Sequence, residues 1–339
     1  MDTRLDLLRA WLATLPPSLG LRPDSARPAS NDASFRRYFR IDSAAEHGGT
    51  LVAMDAPPPM EDCRPFVHAA EVLGRSGISV PQVLHADLPR GFLLLEDFGT
   101  VTYLDRLDAD SAQGLYTDAI GALVALQRSS VPDAFPPYDR ELLLRELRLY
   151  PEWYVARHKG VVLDATESAT LESAFATLVD ALLAQPRVTV HRDFHSRNLM
   201  VLPGPRNPGI LDFQDAVHGP ITYDLVSLLR DAYVTWEEDR VLDWAIRYRE
   251  RARAAGLPVP EQFGDFYRDF EWMGLQRHLK VLGIFARLHH RDGKDRYLAD
   301  LPRVLQYVRE TARRYSALGP LARLVDRVEG AAPTAGYTF

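Results

Sequence analysis

The character of the chain changes at Gly99, and that change limits the folds open to it. Before it, short apolar and aromatic runs are separated by turn-forming residues. SFRRYFRI (34–41) and TLVAMDA (50–56) flank Gly48-Gly49, while ISVPQVLHAD (78–87) and GFLLLEDFG (91–99) flank Pro89-Arg90-Gly91. Runs of this length, punctuated in this way, read as strands. Leu5, Leu8, Trp11, Leu12 and Leu15 share one helical face, Pro16 and Pro17 end it, and residues 64–76 read as a second helix stopped near Gly77. After Gly99 helical periodicity dominates, over roughly 109–129, 139–158, 165–184, 221–234, 238–255, 262–289 and 298–316. The exception is 188–214, which carries strand-like pieces. The expectation is an α+β chain of two lobes. Residues 1–97 form a small antiparallel β-sheet lobe with an extra N-terminal helix, and residues 98–339 a larger, mainly helical one. A cleft between two such lobes is a common ligand site.

Composition excludes several classes of function. The 339 residues carry a net charge of −6, which gives no general basic field for nucleic acid or an anionic membrane surface. No apolar run reaches the ~18 residues of a membrane span, and the N-terminus mixes Asp2, Arg4, Asp6 and Arg9 into its leucines, unlike a signal peptide. A cytoplasmic protein is the default expectation, with no obligate protein partner inferable. Cys63 is the single cysteine, so neither an intrachain disulfide nor a multi-cysteine metal site is available.

Chemistry concentrates in VTVHRDFHSRNLMVL (188–202), where a tight polar stretch is held between apolar ends. Asp193 and Asn198 lie in it, and Asp212 follows in GILDFQDA. LMVL, PGPRNPG and GILDF read as a hairpin that returns Asp212 to the polar end. An Asn carbonyl and an Asp carboxylate are hard oxygen ligands suited to Mg²⁺, which takes few protein ligands and completes its shell with substrate phosphates. Asp193 is then left to accept a proton from an attacking hydroxyl.

His191-Arg192-Asp193, four residues, Asn198, and then Asp212-Phe213-Gln214-Asp215 resemble the catalytic loop and metal-binding segment of the protein-kinase-like superfamily. The resemblance implies a two-lobed kinase fold, ATP and Mg²⁺ as cofactors, Asp193 as catalytic base, and Asn198 with Asp212 as metal ligands. It implies His191 and Asp224 as supports of the catalytic loop. Asp224 also reads as a simple first-turn helix carboxylate. In LLLEDFG (93–99) the backbone around Glu96 and Phe98 would meet adenine, and Glu71 stands where kinases hold an acid that pairs with a lysine.

That lysine is missing. Met54 occupies its slot in Leu51-Val52-Ala53-Met54-Asp55, and the first lysine of the chain is Lys159. The segment expected to carry a glycine-rich loop, SNDASFRRYFR, has no glycine. Arg36, Arg37 and Arg40 are the nearby cations for ATP phosphates, and Ser34 with the backbone of Asn31 to Ala33 could line them. An arginine on this strand could equally be solvated.

Asp215 runs within ten residues into the helix of TYDLVSLL, leaving no platform for a protein substrate. That shortness resembles the aminoglycoside phosphotransferase and choline kinase group. Within it, SNDASFRRYFR, LVAMDAPP, LLLEDFG, HRDFHSRNLM and LDFQDAVHGPITYDLVSLLRDAY are similar to the family of N-acetylmuramate/N-acetylglucosamine anomeric kinases of bacterial cell-wall recycling. This resemblance implies a small-molecule amino sugar as acceptor, phosphorylated at its C1 hydroxyl. His195, Gln214 and Asp215 are candidates to face it. Arg277 or His278 is a candidate for a lactyl carboxylate, and Trp272 for stacking on a sugar face or packing in the core. Two alternatives stay open: another small-molecule kinase of this fold, acting on an aminoglycoside, amino alcohol or different sugar, and a nucleotide-binding pseudokinase.

Overall fold

The computed structural model describes residues 2–30, 35–44 and 48–330. Ser34 and Asn31 to Ala33, expected near the phosphates, lie outside them. The chain divides into two compact units, one of residues 1–111 with 197–215 and the other of 112–196 with 216–339. The division differs from a single boundary at 97/98, because the stretch after Gly99 and the hairpin return to the first unit. Tyr103 N–H donates to Leu199 O at 2.7 Å, and Ile210 N–H donates to Ser79 O at 2.7 Å.

The first unit is built on a five-stranded antiparallel sheet. Its strands are β1 (Arg22–Ser30), β2 (Arg37–Asp42), β3 (Thr50–Asp55), β4 (Val83–Asp87) and β5 (Phe92–Glu96), in the order β1-β2-β3-β5-β4. Strand β1 is the one the sequence hides. RPDSARPAS contains two prolines, which an edge strand tolerates because its outer N–H groups need no partner. Helix α1 (Thr3–Leu12) is capped by Asp2, whose side chain accepts from Leu5 N–H. Its Leu8, Trp11 and Leu12 pack on one sheet face, against Phe39, Ile41, Leu51, Ala53, Phe92 and Leu94. These are alternate residues on each strand, as the pleat requires. Met54 and Leu93 are fully buried as well. Helix α2 (Arg64–Gly74) follows buried Cys63, whose thiol is pushed up by burial and is therefore not a poised nucleophile.

Asp55 fastens α1 to the sheet. It is wholly inaccessible to solvent, and Arg37 Nη2 donates to it at 2.6 Å while Arg4 Nε donates at 3.1 Å. Arg37 also reaches Asp2 at the start of α1. Each of these guanidinium groups already serves a carboxylate, so burial of Asp55 is compensated.

The second unit contains α3 (Ala112–Arg128), α4 (Arg140–Leu147), α5 (Ala165–Leu183), α6 (Tyr223–Leu229), α7 (Glu238–Ala254), α8 (Phe263–His290), α9 (Leu301–Arg314) and α10 (Gly319–Val328). The helix expected over 139–158 is broken into α4 and a wider π-helical turn at Tyr150–His158, with Pro151 at its start. Helix α10, not expected from sequence, buries Leu321, Leu324, Val325 and Val328. Strand β6 (Arg187–Val190) pairs antiparallel with β9 (Val217–Pro220). The two-residue strands β7 (Leu199–Met200) and β8 (Gly209–Ile210) form the expected hairpin, which belongs to the first unit.

Replacing Asp55 with Ala removes the carboxylate that Arg4 and Arg37 share and leaves Arg37 to Asp2 alone. We expect a loss of about 1–3 kcal/mol, read as a lower urea midpoint. An unchanged midpoint would show that α1 is held by its leucines alone.

Candidate active site

In the second unit, β6 delivers His191 to Ser196 into a loop whose backbone is clamped at both ends. Buried Asp224, in the first turn of α6, accepts the N–H of His191 at 2.7 Å and of Arg192 at 2.9 Å. Asp231, just beyond α6, accepts both the N–H and the hydroxyl of Ser196, at 2.9 and 2.6 Å. Between the clamps Arg192 adopts φ of +78°, a left-handed conformation costly for a side chain with a Cβ. Its guanidinium is fixed by buried Glu146, which Lys280 Nζ also meets at 2.9 Å and to which the Tyr138 hydroxyl donates. Burial pushes the Glu146 carboxyl up, but Lys280 and Arg192 bring it below the ordinary range, so the group stays ionised.

These contacts aim Asp193. Its N–H donates to His191 Nδ1 at 3.2 Å, and its side chain lines a small cavity with 42 % of its surface open. Burial raises the Asp193 carboxyl, while His195, Lys280, Arg277 and Arg192 outweigh that and hold it below the usual carboxylate value. It is thus an anion at neutral pH, able to accept a proton. His195 Nε2 lies 4.0 Å from its Oδ1, and the His195 ring meets Tyr233 edge-on. Arg277 lines the same cavity. His278 does not: its Nε2 meets Arg230 O at 2.9 Å and its ring stacks on Tyr307, which makes it a core residue. The Trp272 indole packs edge-on against Tyr315.

In the first unit, the β7–β8 hairpin brings Asn198 and Asp212 together. Leu211 N–H donates to Asn198 O at 2.9 Å, and Asn198 Nδ2 stands 3.4 Å from Asp212 Oδ2. Gln214 Nε2 donates to Asp212 Oδ1 at 2.7 Å, its own Oε1 is buried without a partner, and Asp215 is exposed beside it. Asp212 is a second left-handed residue, with φ of +64°. The neighbouring Phe213 ring is buried against Phe66 at 4.8 Å, which anchors the strained step. The Asp212 carboxylate and the Asn198 carboxamide oxygen are hard-oxygen donors of the kind that fits Mg²⁺. Among the described residues no cluster of three or more His, Cys, Asp or Glu side chains could hold a metal by itself.

The remaining expected nucleotide residues have structural partners. Glu96 pairs with Arg206 at 2.7 Å, and Arg206 lies over the Phe98 ring. A Cβ on Gly209 would fall 2.5 Å from that ring, so Phe98 and the hairpin fit closely. Glu71 is exposed and pairs with Arg75 one turn on, so the kinase-type pair between this acid and β3 does not form. Met54 is buried in the sheet. Arg37 is committed to Asp55 and Asp2, and Arg40 donates to Asp97 at 2.5 and 2.9 Å. This corrects the expectation that Arg37 is available to phosphates. Arg36 lies 4.0 Å from Glu61.

Sequence reading missed Asp231, Glu146 and Lys280. Asp231 could have been found seven residues after Asp224, two helical turns on. Glu146 carried a fainter signal, an acid on the same helical face as Leu143 and Tyr150.

The phosphotransferase enzyme family model matches residues 25–259. The chain is 50 % identical over 337 residues to an N-acetylmuramate/N-acetylglucosamine kinase of Neisseria meningitidis serogroup B, covering 98 % of each chain. It is 48 % identical over 331 residues to the enzyme of that name from Pseudomonas aeruginosa, covering 96 % of each. In fold it is similar to a choline/ethanolamine kinase family protein from Mesorhizobium loti, with a TM-score of 0.58 at 14 % identity over 96 % of this chain and 99 % of that one. It is also similar to an ADP-bound aminoglycoside phosphotransferase, with a TM-score of 0.55 at 14 % identity over 92 % and 99 %.

Burial raises Asp224 to about 7, against the two backbone N–H donors that favour its anion. A carboxyl raised in the folded state contributes its full stabilisation below the unfolded carboxyl value of 3.8, loses it as pH climbs from there to about 7, and adds no further change above that. We expect Asp224→Asn to flatten the fall in Tm between about pH 4 and 7 relative to the parent. Parallel profiles would show that Asp224 is already charged throughout that window.

Proposed function

This chain belongs to the phosphotransferase enzyme family and, through its near-full-length relatives, to the N-acetylmuramate/N-acetylglucosamine kinases, and we propose that it moves the γ-phosphoryl group of ATP to the anomeric hydroxyl of an N-acetyl amino sugar. It is an ATP-dependent kinase by family. The observation that carries the choice of sugar is the 50 % identity over 98 % of both chains. The charge around Asp193 supports it. Arg277, Lys280 and His195 line that cavity, and Asp193 is its one carboxylate. A polycationic aminoglycoside would meet repulsion there, whereas a neutral or acidic sugar would not. The product, an amino-sugar 1-phosphate, fits reuse of cell-wall sugar in the cytoplasm, where ATP is available. Among the described residues no helix is long and apolar enough to cross a membrane.

In the reaction Asp193 accepts the proton of the C1 hydroxyl as that oxygen forms its bond to the γ-phosphorus. The bond from phosphorus to the bridging oxygen breaks, and ADP leaves with its electron pair. An anomeric hydroxyl is more acidic than an ordinary alcohol, so a carboxylate of low basicity suffices as base. Arg192 and Asp224 fix the loop so that Asp193 needs no reorientation. Asn198 and Asp212 would hold Mg²⁺, with Gln214 orienting the Asp212 carboxylate. When bound, the ion neutralises charge on the phosphates. His195 and Asp215 are the proposed acceptor contacts. Backbone near Glu96 and Phe98 is the proposed adenine contact. Arg36 is the proposed phosphate cation in place of the absent lysine.

The test is ADP release with Mg-ATP against N-acetylmuramic acid, N-acetylglucosamine, glucose, choline and kanamycin, with phosphorus NMR of any product. Turnover of the two N-acetyl sugars to an acid-labile 1-phosphate is expected. Turnover of kanamycin or choline alone would overturn the sugar assignment.

Asp193→Asn should lower kcat by about 10²–10⁴-fold while ATP binding measured by calorimetry persists. Near-normal turnover would remove Asp193 as the base. Arg36→Ala should raise the KM for ATP several-fold, and an unchanged KM would exclude this arginine from the phosphate site.

A further inference from the structure

Arg277 is almost fully buried, with 3 % of its surface exposed, yet its Nε and Nη1 have no hydrogen-bond partner. A buried guanidinium without acceptors is costly, and native interiors rarely leave one so. Arg277 lines the cavity of about 130 Å³ that also holds Asp193. Lys280, one turn along α8, lines it too but is committed to Glu146 and the Tyr223 hydroxyl. The two cations therefore differ in what they have left to offer. Lys280 braces the catalytic loop through Glu146, while Arg277 has N–H groups in reserve. The rest of the lining includes Val281, Ile284 and Phe285, an apolar wall on the same face of α8.

We infer that Arg277 reads a carboxylate on the acceptor, seated with its neighbouring methyl group against the Val281–Ile284–Phe285 wall, and thereby favours an acid-bearing amino sugar over a neutral one. The inference rests on the sugar-kinase reading above and adds the group that discriminates between its acceptors. A planar guanidinium presents paired donors matched to the two oxygens of a carboxylate, which an ammonium cannot do. The lactyl ether of N-acetylmuramic acid combines such a carboxylate with an adjacent methyl. N-acetylglucosamine has neither, and leaves the Arg277 donors unsatisfied. A site built around a buried polar group discriminates strongly against the analogue that lacks its partner.

The test is a cycle on both partners. Values of kcat/KM are measured for N-acetylmuramic acid and for its neutral lactamide analogue, with the parent protein, Arg277→Met and Arg277→Lys. The parent should prefer the acid by on the order of 10–100-fold, the range of a hydrogen bond to a charged group. Arg277→Met should bring the ratio near one, and Arg277→Lys should restore part of it. Equal losses for both acceptors in the variants would overturn the inference, pointing instead to a role on the phosphoryl group or in the fold. A parent ratio near one would overturn it without any variant, so the test survives a misfolded Arg277→Met. Failure of the parent to use either N-acetyl sugar would defeat the sugar-kinase reading itself. Turnover of both without preference would defeat only the role of Arg277.

Discussion

The loop from His191 to Ser196 depends on one carboxylate with no solvent access. Asp224 takes two consecutive backbone N–H groups, from His191 and Arg192, on its two oxygens. Two neighbouring N–H groups can point the same way only if the backbone departs from strand geometry. Arg192 makes that departure by entering the left-handed region. The strain persists because its surroundings over-determine it. Glu146 holds the Arg192 side chain, and the Ser227 hydroxyl approaches its carbonyl at 3.4 Å. The result is that Asp193, the next residue, leaves the loop toward the cavity rather than toward the core. Rigid placement of this kind, more than basicity, is what a phosphoryl transfer asks of its base.

The segment that carries Asn198 and Asp212 uses the same device in the first unit. Asp212 is also left-handed, and here a buried aromatic anchor does what Glu146 does for Arg192. Phe213 is fixed against Phe66, and Gln214 holds the carboxylate from the other side. The hairpin that carries Asn198 and Asp212 is short, with strands of two residues. Most of its rigidity comes from outside, through Tyr103, Ser79 and the close seat of Gly209 on Phe98.

These two halves differ in how much could be read from sequence. Asp193, Asn198 and Asp212 were legible because their chemistry depends on residue type and spacing, and both survive in one dimension. Strands β2 to β5 were legible from apolar runs between turn residues. Strand β1 was not, since its prolines argue against a strand until the sheet order makes it an edge. Glu146 was only faintly legible, for a different reason. An acid in ELLLRELRLY reads as solvated, and only folding brings Arg192, Lys280 and Tyr138 to it. Arg37 and Arg40 fell away as nucleotide cations on the same ground. Sequence places Arg37 and Arg40 near a strand end, but it cannot show that Asp55 and Asp97 have already claimed them.

That commitment bears on what the protein recognises. In the first unit Arg4, Arg37 and Arg40 are spent on architecture: Arg4 and Arg37 hold the N-terminal helix, and Arg40 ties β2 to Asp97. In the second unit positive charge gathers around Asp193, with His195, Lys280, Arg277 and Arg192 all lowering its affinity for a proton. Such a field weakens Asp193 as a base, so it is tolerable only if the hydroxyl to be deprotonated is acidic or the field is partly neutralised when substrates bind. An anomeric hydroxyl meets the first condition, and the anionic γ-phosphate with an acidic substituent on the sugar would meet the second. A cationic acceptor would meet neither, because it would add to the field it enters.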